Sequence, residues 1–151
     1  MAFPPERIIC LTEETVETLY LLEEDSRIVG VSGYAVRPAR LRKEKTRVSA
    51  FTSADIPKII ALKPDLVLTF SDLQSEIVAS LIRDGIEVHA FNQRSVAGIL
   101  DMVRMVGAII GKPKKGCAWL NGCHADWKRY GRKHKGSQGG RGFISRNGTS
   151  R

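Results

Sequence analysis

Residues 59–70 read Ile-Ile-Ala-Leu-Lys-Pro-Asp-Leu-Val-Leu-Thr-Phe, and this stretch decides the fold. An apolar helix end runs into Lys63-Pro64-Asp65, where Pro64 cannot continue a helix and pushes Lys63 out of the α region. The apolar run that follows, Leu66 to Phe70, reads as a strand. Leu66, Val67 and Leu68 do not alternate with polar residues, so both faces of the strand should be covered, as in a parallel sheet with helices on each side. We take it as the central strand of an α/β layer.

The same grammar extends in both directions. Upstream, Arg7 to Leu11 is a short strand. Thr12 can cap a helix running to about Leu22, with Glu13 and Glu14 in a favourable first turn. Ile28 to Val31 is a second strand, with Gly30 and Gly33 suggesting close backbone packing or a bend. The mixed charges of Arg40 to Arg47 suit a solvated face or helix, and Val48 to Phe51 a third strand. Asp55 caps the next helix and Pro57 fits its first turn. Downstream, Ser71-Asp72-Leu73-Gln74 has the form of a capping box for a helix that Gly85 ends. Glu87 to Phe91 is a fifth strand. Ser95 caps a helix whose Val96, Ile99, Leu100, Val103, Val106 and Ile110 fit a 3.6 period, stopped by Gly111 and Pro113.

Charge divides the chain. Residues 1–111 hold 13 Lys+Arg and 15 Asp+Glu, net −2, whereas residues 112–151 hold 11 Lys+Arg and one acid, net +10, which together make the overall +8. No apolar run approaches the roughly 18 to 20 residues needed to span a bilayer. The N-terminus shows no export signal, so as written the chain is expected in the cytoplasm. Three cysteines make no disulfide framework, and Cys10, inside an apolar run, reads as a buried thiol.

Strands alternating with helices imply a mostly parallel sheet with helices on both faces, and ligands of such sheets bind outside the carboxyl ends of the strands. The residues following each strand form the candidate rim. They are Thr12, Glu13 and Glu14; Tyr34, Val36 and Arg37; Phe51 and Thr52; Phe70 and Ser71; Asn92 and Gln93. The rim carries no Gly-x-Gly-x-x-Gly turn, no nucleotide phosphate loop and no Gly-x-Ser-x-Gly elbow, and no catalytic constellation assembles on it. His89, alternating within a strand, reads as structural.

Four segments carry a family resemblance: Arg7 to Thr12, Arg27 to Tyr34, Ile59 to Leu68 and Gly85 to Val88. In order, and above all in Ala61-Leu62-Lys63-Pro64-Asp65-Leu66-Val67, they resemble the N-terminal lobe of the cobalamin and iron-chelate substrate-binding proteins of ABC importers. The resemblance covers about residues 6–115. It implies a single Rossmann-like lobe of a two-lobe, non-enzymatic binder that holds cobalamin or a ferric chelate as ligand and has no intrinsic cofactor. It places Tyr34, Phe51 and Phe70 toward the ligand, where the rim argument already puts them; Ser71, Glu13, Arg37 and Asn92 join them as ligand-binding candidates from the rim. It also implies an ABC permease as partner, contacted through Glu76 in the first turn of the helix after Phe70, and a periplasmic location if the family role is kept.

The sequence departs from this pattern after Lys115. A long Ala/Glu/Leu-rich linking helix and a second lobe are expected there. The chain instead carries Gly116, Gly122 and Gly131, expected to interrupt any helix, and a basic Gly/Arg-rich end. Residues 116–151 therefore read as a disordered or non-native tail, as a frameshift or truncation would leave. The alternative is a nucleic-acid-binding arm at Lys128 to Arg146. Cys117, Cys123 and His124 lack a second ligand pair at zinc-site spacing.

Overall fold

The computed structural model describes residues 3–50, 52–120 and 122, with Arg42 described by its backbone. Five strands, β1 (Ile8–Cys10), β2 (Ile28–Ser32), β3 (Thr46–Ser49), β4 (Leu66–Phe70) and β5 (Val88–Phe91), form one sheet in the order β3-β2-β1-β4-β5. Every pairing between them is parallel. Between the strands run α1 (Glu13–Leu21), α2 (Leu41–Glu44), α3 (Ile56–Ala61) and α4 (Ser75–Arg83), with α5 (Val96–Ile109) after β5.

The pleat sorts the core into two layers. Ile8, Cys10, Leu66 and Leu68 pack with Val16 and Leu19 of α1 and Met102, Val103 and Val106 of α5. Their neighbours Ile9, Leu11 and Val67 point the other way, against Ile59 of α3 and Ile77 and Leu81 of α4. An α/β lobe with both sheet faces covered is thus what the unbroken Leu66-Val67-Leu68 run required. The expectation that this run is the central strand needs correcting, because β1 holds the centre and β4 lies beside it. An apolar run marks any strand covered on both faces, and β4, flanked by β1 and β5, meets that condition without being the middle one. β3 also begins two residues earlier than expected, since the exposed Thr46 and Arg47 are tolerated on an edge strand. Gly30 allows close packing as anticipated, for a Cβ there would lie 3.0 Å from Leu62 Cδ1 and 3.1 Å from Val48 Cγ1.

Lys63-Pro64-Asp65 does more than end α3. Lys63 turns the chain with φ 46°. Asp65 Oδ2 then accepts the backbone N–H groups of Glu6 at 2.9 Å and Arg7 at 3.0 Å. Arg7 in return donates to the Leu62 and Lys63 carbonyls. This exchange ties the entry of β1 to the entry of β4 and sets the register Ile8↔Leu66. Charge-assisted hydrogen bonds to one carboxylate are at stake, so Asp65→Ala should cost about 1–3 kcal/mol, read as a lowered urea midpoint with an unchanged slope. An unchanged midpoint would show that the clamp contributes nothing.

Residues 113–120 are helical, and Gly116 lies inside that helix instead of interrupting it. The reason is close packing, since a Cβ on Gly116 would meet the Val103 carbonyl oxygen at 3.3 Å and Gly107 Cα at 3.6 Å. Leu120 is buried and Trp119 packs against the α1/α5 core layer. Lys115 Nζ donates to the Leu22 carbonyl at the end of α1, 3.1 Å away. The helix therefore crosses the boundary expected at residues 115 and 116. Of residues 121–151 only Gly122 is described, and it is helical, contrary to expectation; Gly131 and the other tail expectations lie outside the described residues.

Candidate functional site

The carboxyl ends of the parallel strands open onto a rim, and the strand order changes direction between β1 and β4. A hollow of about 360 Å3 lies at the ends of β1 and β2, lined by Leu11, Thr12, Glu13, Glu14, Ser32 and Tyr34. Tyr34 is 64% exposed on its edge. A second hollow of about 410 Å3 opens at the end of β3, lined by Gly33, Arg47, Ser49, Ser53 and Asp55 among others.

The expected site residues divide into two groups. Glu13 and Tyr34 share the first hollow, and Arg37 reaches toward it, its Nε 3.5 Å from Glu13 Oε1 and 2.9 Å from Glu17 Oε1. Phe70, Ser71 and Asn92 lie at the ends of β4 and β5, which Ser71 joins by donating its N–H to the Phe91 carbonyl at 2.7 Å. Asn92 Oδ1 accepts from Arg94 Nε at 3.0 Å, and Arg94 also pairs with Asp72. Phe70 is half-buried and packs against the α1/α5 core layer. Phe51 lies outside the described residues. Glu76 is exposed in the first turn of α4.

Two expected caps behave differently from their sequence form. Thr12 occupies the N-cap position of α1, but its hydroxyl lies 3.2 Å from that of Thr15 and makes no bond to the helix backbone. Ser71 accepts from Leu73 N–H and starts only a 3-10 turn, so α4 begins at Ser75. Ser71 sits at φ 58°, a conformation that costs a non-glycine residue of order 1–3 kcal/mol.

Gln74, read from sequence as the second half of a capping box, has a different role. It is fully buried. Its Oε1 accepts the Phe70 N–H at 3.1 Å and its Nε2 donates to the Leu11 carbonyl at 3.2 Å. Leu11 N–H still reaches the Leu68 carbonyl, so the amide takes over where the β1–β4 ladder ends. It holds the floor of the rim in place. No local pattern marks it, because its partners are 4 and 63 residues away.

Burial shifts two titratable groups near the rim. Desolvation pushes the Cys10 thiol up to about 12 from 9.0, with Thr15 and Lys45 opposing weakly. Desolvation also lowers the pKa of His89, whose ring is tilted 59° to that of Phe91 with centroids 4.4 Å apart. Both fit the structural roles expected of them. The raised thiol pKa has a definite sign. Below about pH 9 neither state releases the proton. As pH rises from there toward 12 the unfolded chain releases it first, and stability falls. Denaturation at stepped pH should show this decline, reduced in Cys10→Ala. In native protein iodoacetamide at pH 8 should label the exposed Cys117 and leave Cys10 intact. Labelling of native Cys10 would contradict the assigned burial.

Parallel strands with both faces covered and an open rim at their carboxyl ends match the fold of one lobe of known solute-binding proteins. The chain belongs to the periplasmic binding protein family, whose sequence model matches residues 8–137. It is 28% identical over 136 residues to the uncharacterized ABC transporter substrate-binding lipoprotein YvrC of Bacillus subtilis, covering 87% of this chain and 42% of that one. It is 28% identical over 115 residues to the vitamin B12-binding protein of Vibrio cholerae, covering 76% of this chain and 41% of that one. Among solved structures, the iron uptake substrate-binding protein PiuA of Streptococcus pneumoniae superposes with a TM-score of 0.79 at 18% identity, over 91% of this chain and 50% of that one. The chain spans about two fifths of the length of these two curated relatives and half of the solved one, which corresponds to a single lobe.

Proposed function

We propose that this lobe forms one wall of a cleft for a corrinoid, or for a ferric chelate of similar size, in the substrate-binding component of an ABC importer. The observation that carries this reading is the exposed Tyr34 on a hollow at the carboxyl ends of the sheet, in a chain similar to a vitamin B12-binding protein. The role is binding and not catalysis, and the ligand is cargo, not a resident cofactor. Glu76, exposed on the outer surface of α4, is the proposed contact to the permease. The proposed place of action is the outer side of the cytoplasmic membrane, as the lipoprotein relative suggests, in preference to the cytoplasm. No helix among the described residues is long and apolar enough to cross a membrane. The nucleic-acid alternative rests on residues 128–146, outside the described residues.

Amide chemical-shift titration with cyanocobalamin tests the reading, since it registers millimolar contacts. Shifts should cluster at residues 12–14, 34, 71 and 92. In Tyr34→Ala/Phe70→Ala they should need roughly tenfold more ligand, as loss of aromatic contact area predicts. Equal affinity in parent and double variant would place the ligand elsewhere.

A further inference from the structure

We propose that the hollow beside Tyr34 selects ligands with a periphery of neutral hydrogen-bond donors, and that Glu13 and Glu14 are the residues that turn away a carboxylate-bearing periphery. The proposal rests on the rim being the ligand site and names the chemistry that site prefers.

Four polar side chains besides the Tyr34 hydroxyl line the hollow: Thr12, Glu13, Glu14 and Ser32. The two hydroxyls are engaged within the protein. Thr12 Oγ1 meets Thr15 Oγ1, and Ser32 Oγ accepts the Tyr34 N–H at 3.3 Å. Besides these hydroxyls and that of Tyr34, the side-chain groups that line the hollow are carboxylates, which only accept. The neighbouring cation, Arg37, is held by Glu13 and by Glu17 and so is already matched. One influence opposes the acids. The start of α1 has no side-chain cap, and a helix N-terminus carries roughly half a positive charge. Three carboxylates, less one guanidinium and about half a charge from the helix, still leave this part of the rim negative. A carboxamide arm can donate to Glu13 or Glu14 in a charge-assisted hydrogen bond. A carboxylate arm at the same place meets like charge from Glu13 and Glu14. The ligand class is therefore a corrin ring with amidated arms, ahead of the same ring with free acids or a porphyrin with propionates.

Two corrinoids that share the ring and lack the nucleotide separate this from general affinity: dicyanocobinamide, with amidated arms, and dicyanocobyrinic acid, with carboxylate arms. In amide-shift titrations of the 151-residue chain, cobinamide should bind about tenfold or more tightly than the acid, as two nearby like charges predict. That ratio should shrink in high salt. In Glu13→Gln/Glu14→Gln, which keeps an acceptor oxygen at each position, it should fall to within about threefold, the residue left by Glu17. Equal affinities in the parent, a preference for the acid, or a ratio indifferent to both salt and the double variant would overturn the proposal while leaving the rim as the site. Should the variant misfold, the salt dependence of the parent decides. If neither corrinoid shifts residues 12–14 or 34 in the folded chain, the corrinoid site itself is refuted and the selectivity falls with it.

Discussion

Gln74→Leu is expected to remove about 2–6 kcal/mol of stability, because it leaves two buried backbone groups without partners at about 1–3 kcal/mol each. The groups are the Phe70 N–H and the Leu11 carbonyl, both now satisfied by one fully buried amide. Leucine fills similar volume, so the loss reports the hydrogen bonds and not a cavity. A domain of this size has only about 5–15 kcal/mol in total. Urea unfolding should therefore show a midpoint lowered by a large fraction, and amides of β1 and β4 near the rim should lose exchange protection first. A loss below about 0.5 kcal/mol would mean that water serves both groups equally well, against the burial.

What the sequence revealed, and what it hid, follows from how local each interaction is. The Asp55 and Ser95 caps reach three residues along, to the N–H groups of Lys58 and Gly98, and both were legible. The stops at Gly85 and Gly111 have φ of 76° and 74°, which glycine accommodates without strain. The rim was legible for a different reason, since parallel α/β topology fixes which loops share an edge. Strand order was not. Ile8-Ile9-Cys10 and Leu66-Val67-Leu68 are equally apolar, and only the pairing shows that β1 takes the centre. Gly116 misled because helix propensity argues against it, while tertiary contact with Val103 and Gly107 requires it. Gln74 was misjudged in kind, as a helix cap, and the ion pairs of Arg37 were not foreseen. Each answers to partners far along the chain: Leu11 for one, and Glu13 with Glu17 for the other.

The largest expected effect on function is the affinity of the 151-residue chain by itself. Pockets that hold a drug-sized ligand well bury about 70–90% of its surface. This lobe offers one open rim, whose nearest hollow of about 360 Å3 admits only part of a corrinoid. Roughly half the contacts cannot give half the binding free energy, because the cost of immobilising the ligand, estimated at about 4–15 kcal/mol, is met in full by either half. The loss relative to a two-lobed relative should thus be several powers of ten. Pre-organisation does not rescue it, for Tyr34 remains 64% exposed with no opposing wall among the described residues.

Isothermal calorimetry of the purified, monomeric 151-residue chain with cyanocobalamin tests the central claim that these residues supply one half of a two-lobed site. The account predicts a dissociation constant weaker than about 100 μM, with no saturation at ordinary working concentrations. A submicromolar constant at one ligand per monomer would contradict it and show that the single lobe is a complete binding site.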